Sequence, residues 1–333
     1  MINIALFGLG RIGEIHAKNI LLNNRCSLKY VFDIDPNLTI KIAKKFKSIP
    51  ISKTKIAYND KNIDVIFIST PASTHINYII ESTKHGKTVF CEKPLDLNID
   101  KINKCKKIIK KYKPKIQLGF NRRYDPGHYS LKKSIENGEI GKLEKIIITS
   151  RDPAPPSLPY LKTSGGIFKD MMIHDFDLLR FYLIKDEIKE IFTSAVNLPD
   201  AKFKKIKDYE LAMCLLKSKK DVICAINNSR HCSYGYDQRV EIFGSKGMMI
   251  SGNKRDNNSE KFLGSKTSIK RPLLNFFIDR YDEAYKLQLI DLINYIERKK
   301  TPRAIFEDGR RAIIVANAAH KSLRLKKFIK ISF

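Results

Sequence analysis

A chain of 333 residues has room for two domains of ordinary size. With 43% hydrophobic and 29% charged residues it has the composition of a folded globular protein, not a disordered one, and no apolar run approaches the roughly 20 residues needed to cross a bilayer. A net charge of +28 raises nucleic acid as a partner, but the charge is mostly Lys scattered over many segments, with no RNA- or DNA-binding motif, and reads as a solvated surface.

The chain opens Met1-Ile2-Asn3-Ile4, with neither a basic n-region nor a cleavage pattern, which predicts no secretory signal and a cytoplasmic location. Residues 2–7 form a short apolar run that predicts a strand. Gly8-Leu9-Gly10-Arg11-Ile12-Gly13 follows it and opens a helix over 11–22. A G-x-G-x-x-G alone is a weak pattern, but between a strand and a helix it has a physical purpose. The glycines permit a tight turn, close approach of the backbone to a pyrophosphate, and close helix–strand packing, and the helix N-terminus offers free N–H groups to phosphate. A second strand over 28–32 runs into Asp33, 20 residues after Gly13. An acidic side chain there accepts hydrogen bonds from the adenosine ribose and disfavours a 2′-phosphate, so NAD is expected over NADP.

A helix over 37–46, a strand over 64–69, a helix over 75–84, a strand over 88–91, a helix over 99–111 and a strand over 116–119 continue the alternation. Continuous apolar strands separated by helices predict a parallel sheet covered on both faces. The fourth strand ends at Cys91-Glu92-Lys93-Pro94, where ligands sit in such sheets. Lys93 there could bond a substrate hydroxyl, and on its own reads equally well as a surface Lys. Past residue 120 strands recur at 143–150, 188–196, 209–216, 221–228 and 239–243 with few helices between them, which predicts a mainly antiparallel sheet. One helix is expected over 170–184, and two more at 281–298 and 307–324. Asp170 and His174, four apart, would share a face of the first of these. By spacing alone the pair reads as an ordinary helix-surface contact. Cys26, Cys91, Cys105, Cys214, Cys224 and Cys232 form no C-x-x-C pair and no metal-ligand spacing, so reduced buried thiols and no metal are expected.

The GLGRIG turn, Ser69-Thr70-Pro71 with His75 after it, and Glu92-Lys93-Pro94 together resemble the glucose–fructose oxidoreductase and inositol dehydrogenase (Gfo/Idh/MocA) family. The resemblance continues through Gly119-Phe120-Asn121-Arg122-Arg123-Tyr124-Asp125, the stretches 150–156 and 165–177, Tyr234-Gly235-Tyr236-Asp237-Gln238-Arg239 and Arg280-Tyr281-Asp282-Glu283-Ala284-Tyr285, nearly the whole chain. It implies an α/β protein: a Rossmann domain with a doubly wound parallel sheet over 1–120, then a substrate-binding and oligomerisation domain over 121–333 with a large, mainly antiparallel open sheet. The final helices pack on either domain.

The resemblance implies NAD as cofactor, held by Gly8, Gly10, Arg11, Ile12, Gly13, Asp33, Thr70, Pro71, Glu92 and Lys93. Lys93, Asp170 and His174 match the family's catalytic Lys, Asp and His. Arg122, Asp152 and Tyr236 match substrate-contacting positions, with Asp152 where some members have Asn and Asn121 where some have an apolar residue. The segments 150–177 and 234–239 resemble the inositol dehydrogenase branch. The implied activity is NAD-dependent oxidation of a cyclitol secondary alcohol to a ketone, myo-inositol to 2-keto-myo-inositol, with a related inositol isomer or a pyranose as the alternative. The implied partners are a small-molecule polyol and further copies of the chain, a dimer or tetramer through the C-terminal sheet, with no nucleic acid and no membrane. A cofactor-binding regulator without catalysis is the reading from another class. The joint presence of Lys93, Asp170 and His174 argues against it.

Overall fold

The computed structural model describes residues 1–197, 206, 208–298 and 300–333. They form two compact units, Met1–Tyr124 with Glu283–Arg311, and Asp125–Asp282 with Ala312–Phe333. Residues 283–311 thus belong to the first unit although they lie between the two stretches of the second in the chain.

Unit one is built on β1 (Ile2–Phe7), β2 (Cys26–Phe32), β3 (Ile49–Pro50), β4 (Val65–Ile68), β5 (Thr88–Cys91) and β6 (Ile116–Leu118). All neighbours are parallel, in the order β3-β2-β1-β4-β5-β6. This is the doubly wound order, with its topological switch between β1 and β4. The connections are α1 (Arg11–Leu21), α2 (Pro36–Lys45), α3 (Lys55–Asn59), α4 (Ala72–Lys84) and α5 (Ile99–Ile109). Sequence dictates their starts: Asp35 caps α2 by accepting from Asn37 N and Leu38 N, with Pro36 in the first turn, and Asn98 caps α5 in the same way. Every residue of β4 and β5 is buried, as a sheet covered on both faces demands. Leu289, Leu292 and Ile293, late in the chain, complete the core built on Ile4, Leu6, Val65 and Phe67.

Unit two contains α6 (Pro126–Glu136), β7 (Leu143–Arg151), α7 (Leu158–Thr163), α8 (Gly166–Asp170), α9 (Ile173–Tyr182), β8 (Ile188–Val196), β9 (Leu211–Ser218), β10 (Ile223–Ser229), β11 (Asp237–Gly244), β12 (Gly247–Ser251), the hairpin β13 (Glu260–Leu263) and β14 (Lys266–Lys270), and α10 (Phe277–Arg280). The chain closes with α11 (Asp282–Arg298), α12 (Phe306–Leu325) and β15 (Ile329–Lys330). The sheet runs β12-β11-β7-β10-β9-β8-β15. Only β7 and β10 pair parallel within it. Strand residues alternate cleanly: Ala212, Cys214 and Leu216 are buried, while Met213 and Leu215 are exposed. The buried face packs under Leu131, Phe176, Leu179, Val315 and Ala319.

The single helix expected over 170–184 is two helices. The Ile167 carbonyl accepts from both Met171 N (3.2 Å) and Met172 N (2.8 Å), which closes α8 and breaks the ladder before α9 begins. Asp170 ends one helix and His174 lies in the first turn of the next, so their four-residue spacing does not run along one helical face. All six cysteines are unpaired and buried. Burial raises the Cys26 thiol to about 11 and the Cys105 thiol to about 12. Among the described residues no helix is long and apolar enough to cross a membrane.

Candidate active site

The three glycines of the first turn answer to three different constraints. Gly8 sits at φ +88°, and a Cβ there would lie 2.5 Å from both the Ser69 carbonyl carbon and Thr70 N. Only glycine lets β1 and the β4 loop approach so closely. The approach is locked by Ser69 Oγ, which donates to the Gly8 carbonyl at 2.7 Å. A Cβ on Gly13 would fall 2.0 Å from the Gly8 carbonyl oxygen, so this residue sets the packing of α1 on the turn. Gly10 caps α1 in extended conformation and has nothing within 4 Å of where its Cβ would stand. Open space at the N-terminus of a helix suits a diphosphate. Arg11 is exposed and Ile12 half-buried in the same turn.

Asp33 follows β2 and is half-buried. Its Oδ2 accepts from Leu9 N at 2.7 Å and its Oδ1 from Asp35 N at 3.1 Å. The carboxylate therefore braces the glycine turn from the end of β2, where an acidic side chain is expected to take a ribose. Wild-type protein should use NAD with far higher kcat/KM than NADP. Asp33→Ala with a neighbouring Arg introduced should narrow that gap while weakening NAD, because the brace is lost. Equal wild-type efficiency with the two coenzymes would contradict this reading of Asp33.

Thr70 and Pro71 precede α4, and Glu92 and Lys93 follow β5. His75 ties these two loops together. It is 1% exposed, with Nε2 2.7 Å from the Thr70 carbonyl and Nδ1 2.7 Å from the Pro94 carbonyl. Burial lowers its pKa, against the opposing pull of the two carbonyls. His16, also buried, places Nε2 2.7 Å from Glu92 Oε1 and packs its ring against Phe67, Phe90 and Tyr285. Glu92 Oε2 accepts from Lys93 N at 3.3 Å. A Cβ on Gly119 would meet Glu92 Oε2 at 2.6 Å, so β6 approaches this loop closely too. Lys93 is half-buried, and Arg122 is buried in the 3-10 turn Asn121–Tyr124 after β6. The unit-one candidates thus gather at the carboxyl ends of β1, β2, β4, β5 and β6.

In unit two the strand register brings a second set together. Arg151 pairs with Ser229 on one side and Asp237 on the other, so Asp152, Arg230 and Tyr236 lie at the same end of adjacent strands β7, β10 and β11. Asp152 N donates to the Ser229 carbonyl at 2.9 Å. Tyr236 is buried edge-on against Tyr281. Beneath them Asp125 caps α6 and pairs with Arg280, both 1% exposed. Burial pushes its carboxyl up, but the charges of His128 and Arg280 outweigh this and hold it at about 2. Asp170 Oδ1 accepts from the Tyr160 hydroxyl at 2.7 Å, and Oδ2 lies 3.4 Å from Arg230 Nη1. His174 is half-buried near the start of α9.

Sequence reasoning did not single out His16, Tyr160, Asp208 or Arg230. His16 carried a faint signal, an ionisable residue on the inward face of α1 three residues after Gly13. The partners of Arg230 are 60 and 22 positions away, and no local pattern reports them.

Residues 2–120 match the model for the oxidoreductase family with an NAD-binding Rossmann fold, and residues 128–250 that for the GFO/IDH/MocA C-terminal domain. Inositol 2-dehydrogenase of Rhizobium meliloti (strain 1021) is 37% identical, over 99% of each chain. The crystal structure of a myo-inositol dehydrogenase from Corynebacterium glutamicum is 38% identical with a TM-score of 0.96, covering 100% of this chain and 99% of that one. Scyllo-inositol dehydrogenase from Lactobacillus casei, solved with bound NAD(H) and scyllo-inositol, is 27% identical with a TM-score of 0.91, covering 99% of each chain.

Proposed function

The chain belongs to the GFO/IDH/MocA oxidoreductase family, and from that premise we propose that it oxidises a cyclitol secondary alcohol with NAD, myo-inositol to 2-keto-myo-inositol. The observation that carries this is the end-to-end likeness to inositol 2-dehydrogenases; Lys93, Asp170 and His174 are the residues we assign to the chemistry. When bound, NAD accepts the hydride from the carbinol carbon. Gly8, Gly10 and Gly13 leave the backbone room to hold its diphosphate, with Arg11 and Ile12 in the same turn. Asp33 takes the adenosine ribose, and Thr70, Pro71, Glu92 and Lys93 form the loops toward the nicotinamide end.

An alcohol is too weak an acid to lose its proton unaided at neutral pH. His174 accepts the hydroxyl proton as the C–H bond breaks, leaving the carbonyl. Asp170 orients the imidazole and stabilises the imidazolium that forms. Lys93 stabilises developing alkoxide charge and holds a neighbouring hydroxyl. Arg122, Asp152 and Tyr236 hold the remaining hydroxyls of the ring. Six buried, unpaired thiols suit a reducing cytoplasm. The chemistry is checked with myo-inositol deuterated at C2. The label should appear in the reduced coenzyme. Retention of the label in the product ketone would place the oxidation at another carbon.

The protein assembles with itself through the open face of its second sheet. Met213, Leu215, Ile223, Phe243, Met248 and Ile250 are exposed on β9 to β12, apolar side chains on one face of the sheet. Among the described residues, those of α6, α9 and α12 pack on the opposite face. Leu215→Glu, opposite Ala225 and Phe192 in the register, should lower the sedimentation mass toward the 38.4 kDa of one chain. A variant of unchanged mass would argue for a different interface.

A further inference from the structure

Arg230 is among the largest fully buried side chains of the protein, with 0% exposure, and has no part in the chemistry above. A guanidinium removed from water is tolerated only where anions meet its N–H groups. Two carboxylates lie beside it, Asp170 hydrogen-bonded to it and Asp208 paired with it by charge alone. Nη1 lies 3.4 Å from Asp170 Oδ2, and Nη2 lies 3.2 Å from Asp208 Oδ2.

Asp208 is itself fixed to the start of α8. Its Oδ1 accepts from Ile167 N at 2.8 Å, and Gly166, at φ +78°, leaves room for it where a Cβ would come within 2.9 Å. Arg230 therefore reaches both ends of the short helix that carries Asp170, one end directly and the other through Asp208. Its own backbone N–H donates to the Glu210 carbonyl at 2.9 Å, immediately after β10. The Tyr160 hydroxyl engages the other oxygen of Asp170. A planar fork can serve two carboxylates at once from one fixed position, which a lysine ammonium cannot reproduce.

We propose that Arg230, anchored by Asp208, is a positioning residue that holds the Asp170 carboxylate in the orientation from which it serves His174. The inference rests on the reading of Asp170 and His174 given above. If Arg230 acts through Asp170, its removal matters only while Asp170 is functional. A purely structural Arg230 would lower activity by the same factor whichever residue stood at position 170.

The test is a double-mutant cycle on the full-length protein with NAD and myo-inositol, measuring kcat, both KM values and thermal unfolding. Arg230→Met should lower kcat roughly 10- to 100-fold, as misplacing a catalytic side chain by about 1 Å does, with NAD affinity unchanged. Arg230→Lys should fall between this variant and wild type. In an Asp170→Asn background the Arg230→Met change should cost less than about 3-fold. Multiplication of the two single effects, or wild-type kcat in Arg230→Met, would overturn the proposal. If Arg230→Met does not fold, Asp208→Asn serves in its place, because it leaves the guanidinium and removes the second anchor. It should lower kcat in the wild-type background and not in the Asp170→Asn background, and equal factors in both would overturn the proposal. Wild-type kcat in Asp170→Asn alone would instead refute the catalytic reading of Asp170, a separate failure.

Discussion

His174→Ala should lower kcat by roughly 10²–10⁴-fold, the usual range for loss of a positioned general base. NAD affinity should survive, because the residues proposed to hold the coenzyme lie in unit one and His174 lies in unit two. Asp170→Asn should impair turnover as well, since the imidazole loses the anion that orients it and balances its positive charge. Lys93→Ala should weaken both kcat and polyol affinity, because one ammonium group stabilises charge and holds a hydroxyl. The rate of oxidation should depend on a group that must be unprotonated, and that acid limb should vanish or move in His174→Ala. Stopped-flow measurement of hydride transfer, with NAD binding measured separately, checks the set. Near-wild-type kcat in His174→Ala would mean that the base lies elsewhere.

Gly10→Ala and Gly13→Ala should fail for different reasons. At Gly10 the backbone is at φ −65°, which any L-residue adopts, and a Cβ there meets no protein atom within 4 Å. The variant should fold with stability within about 1 kcal/mol of wild type, the scale of a helix-cap change. It should nevertheless bind NAD at least about tenfold more weakly, a loss of ~1.4 kcal/mol, because the new methyl group occupies the space left for the diphosphate. At Gly13 the Cβ would lie 2.0 Å from a carbonyl oxygen of the turn itself. Backbone must then shift, at a cost of roughly 1–3 kcal/mol or more. Gly13→Ala should therefore lose both thermal stability and NAD binding. Calorimetric titration and thermal unfolding of the two variants separate the effects. An unimpaired Gly10→Ala would contradict the account of the turn.

The cofactor half was legible because its spacing is a steric code. Strand, glycines, helix and Asp33 stand in a fixed local register, and the doubly wound order follows from the same alternation. That Asp33 also accepts from Leu9 N was not legible, since the ribose role alone accounts for an acid there. In the second unit the strands were found by alternation, but α6 was passed over. Its apolar face is little more than Leu131 and Ile135, although Asp125-Pro126 is a capped helix start. The hairpin β13–β14 is exposed throughout and carries no burial pattern to read. The break between Asp170 and His174 was hidden because Met171, Met172 and Ile173 continue an apolar run that fits a helix on either side. The Asp170–Arg230–Asp208 group is a tertiary fact: it forms where β10 ends beside α8.

Everything above turns on oxidation of a cyclitol alcohol with NAD. The most direct measurement is NADH formation by the purified protein across a panel of inositol isomers and aldoses at saturating NAD. The highest kcat/KM is expected for myo-inositol, with aldoses well below it, and that turnover should be lost in His174→Ala. NADH formation from a pyranose with no turnover of any inositol isomer would contradict this expectation.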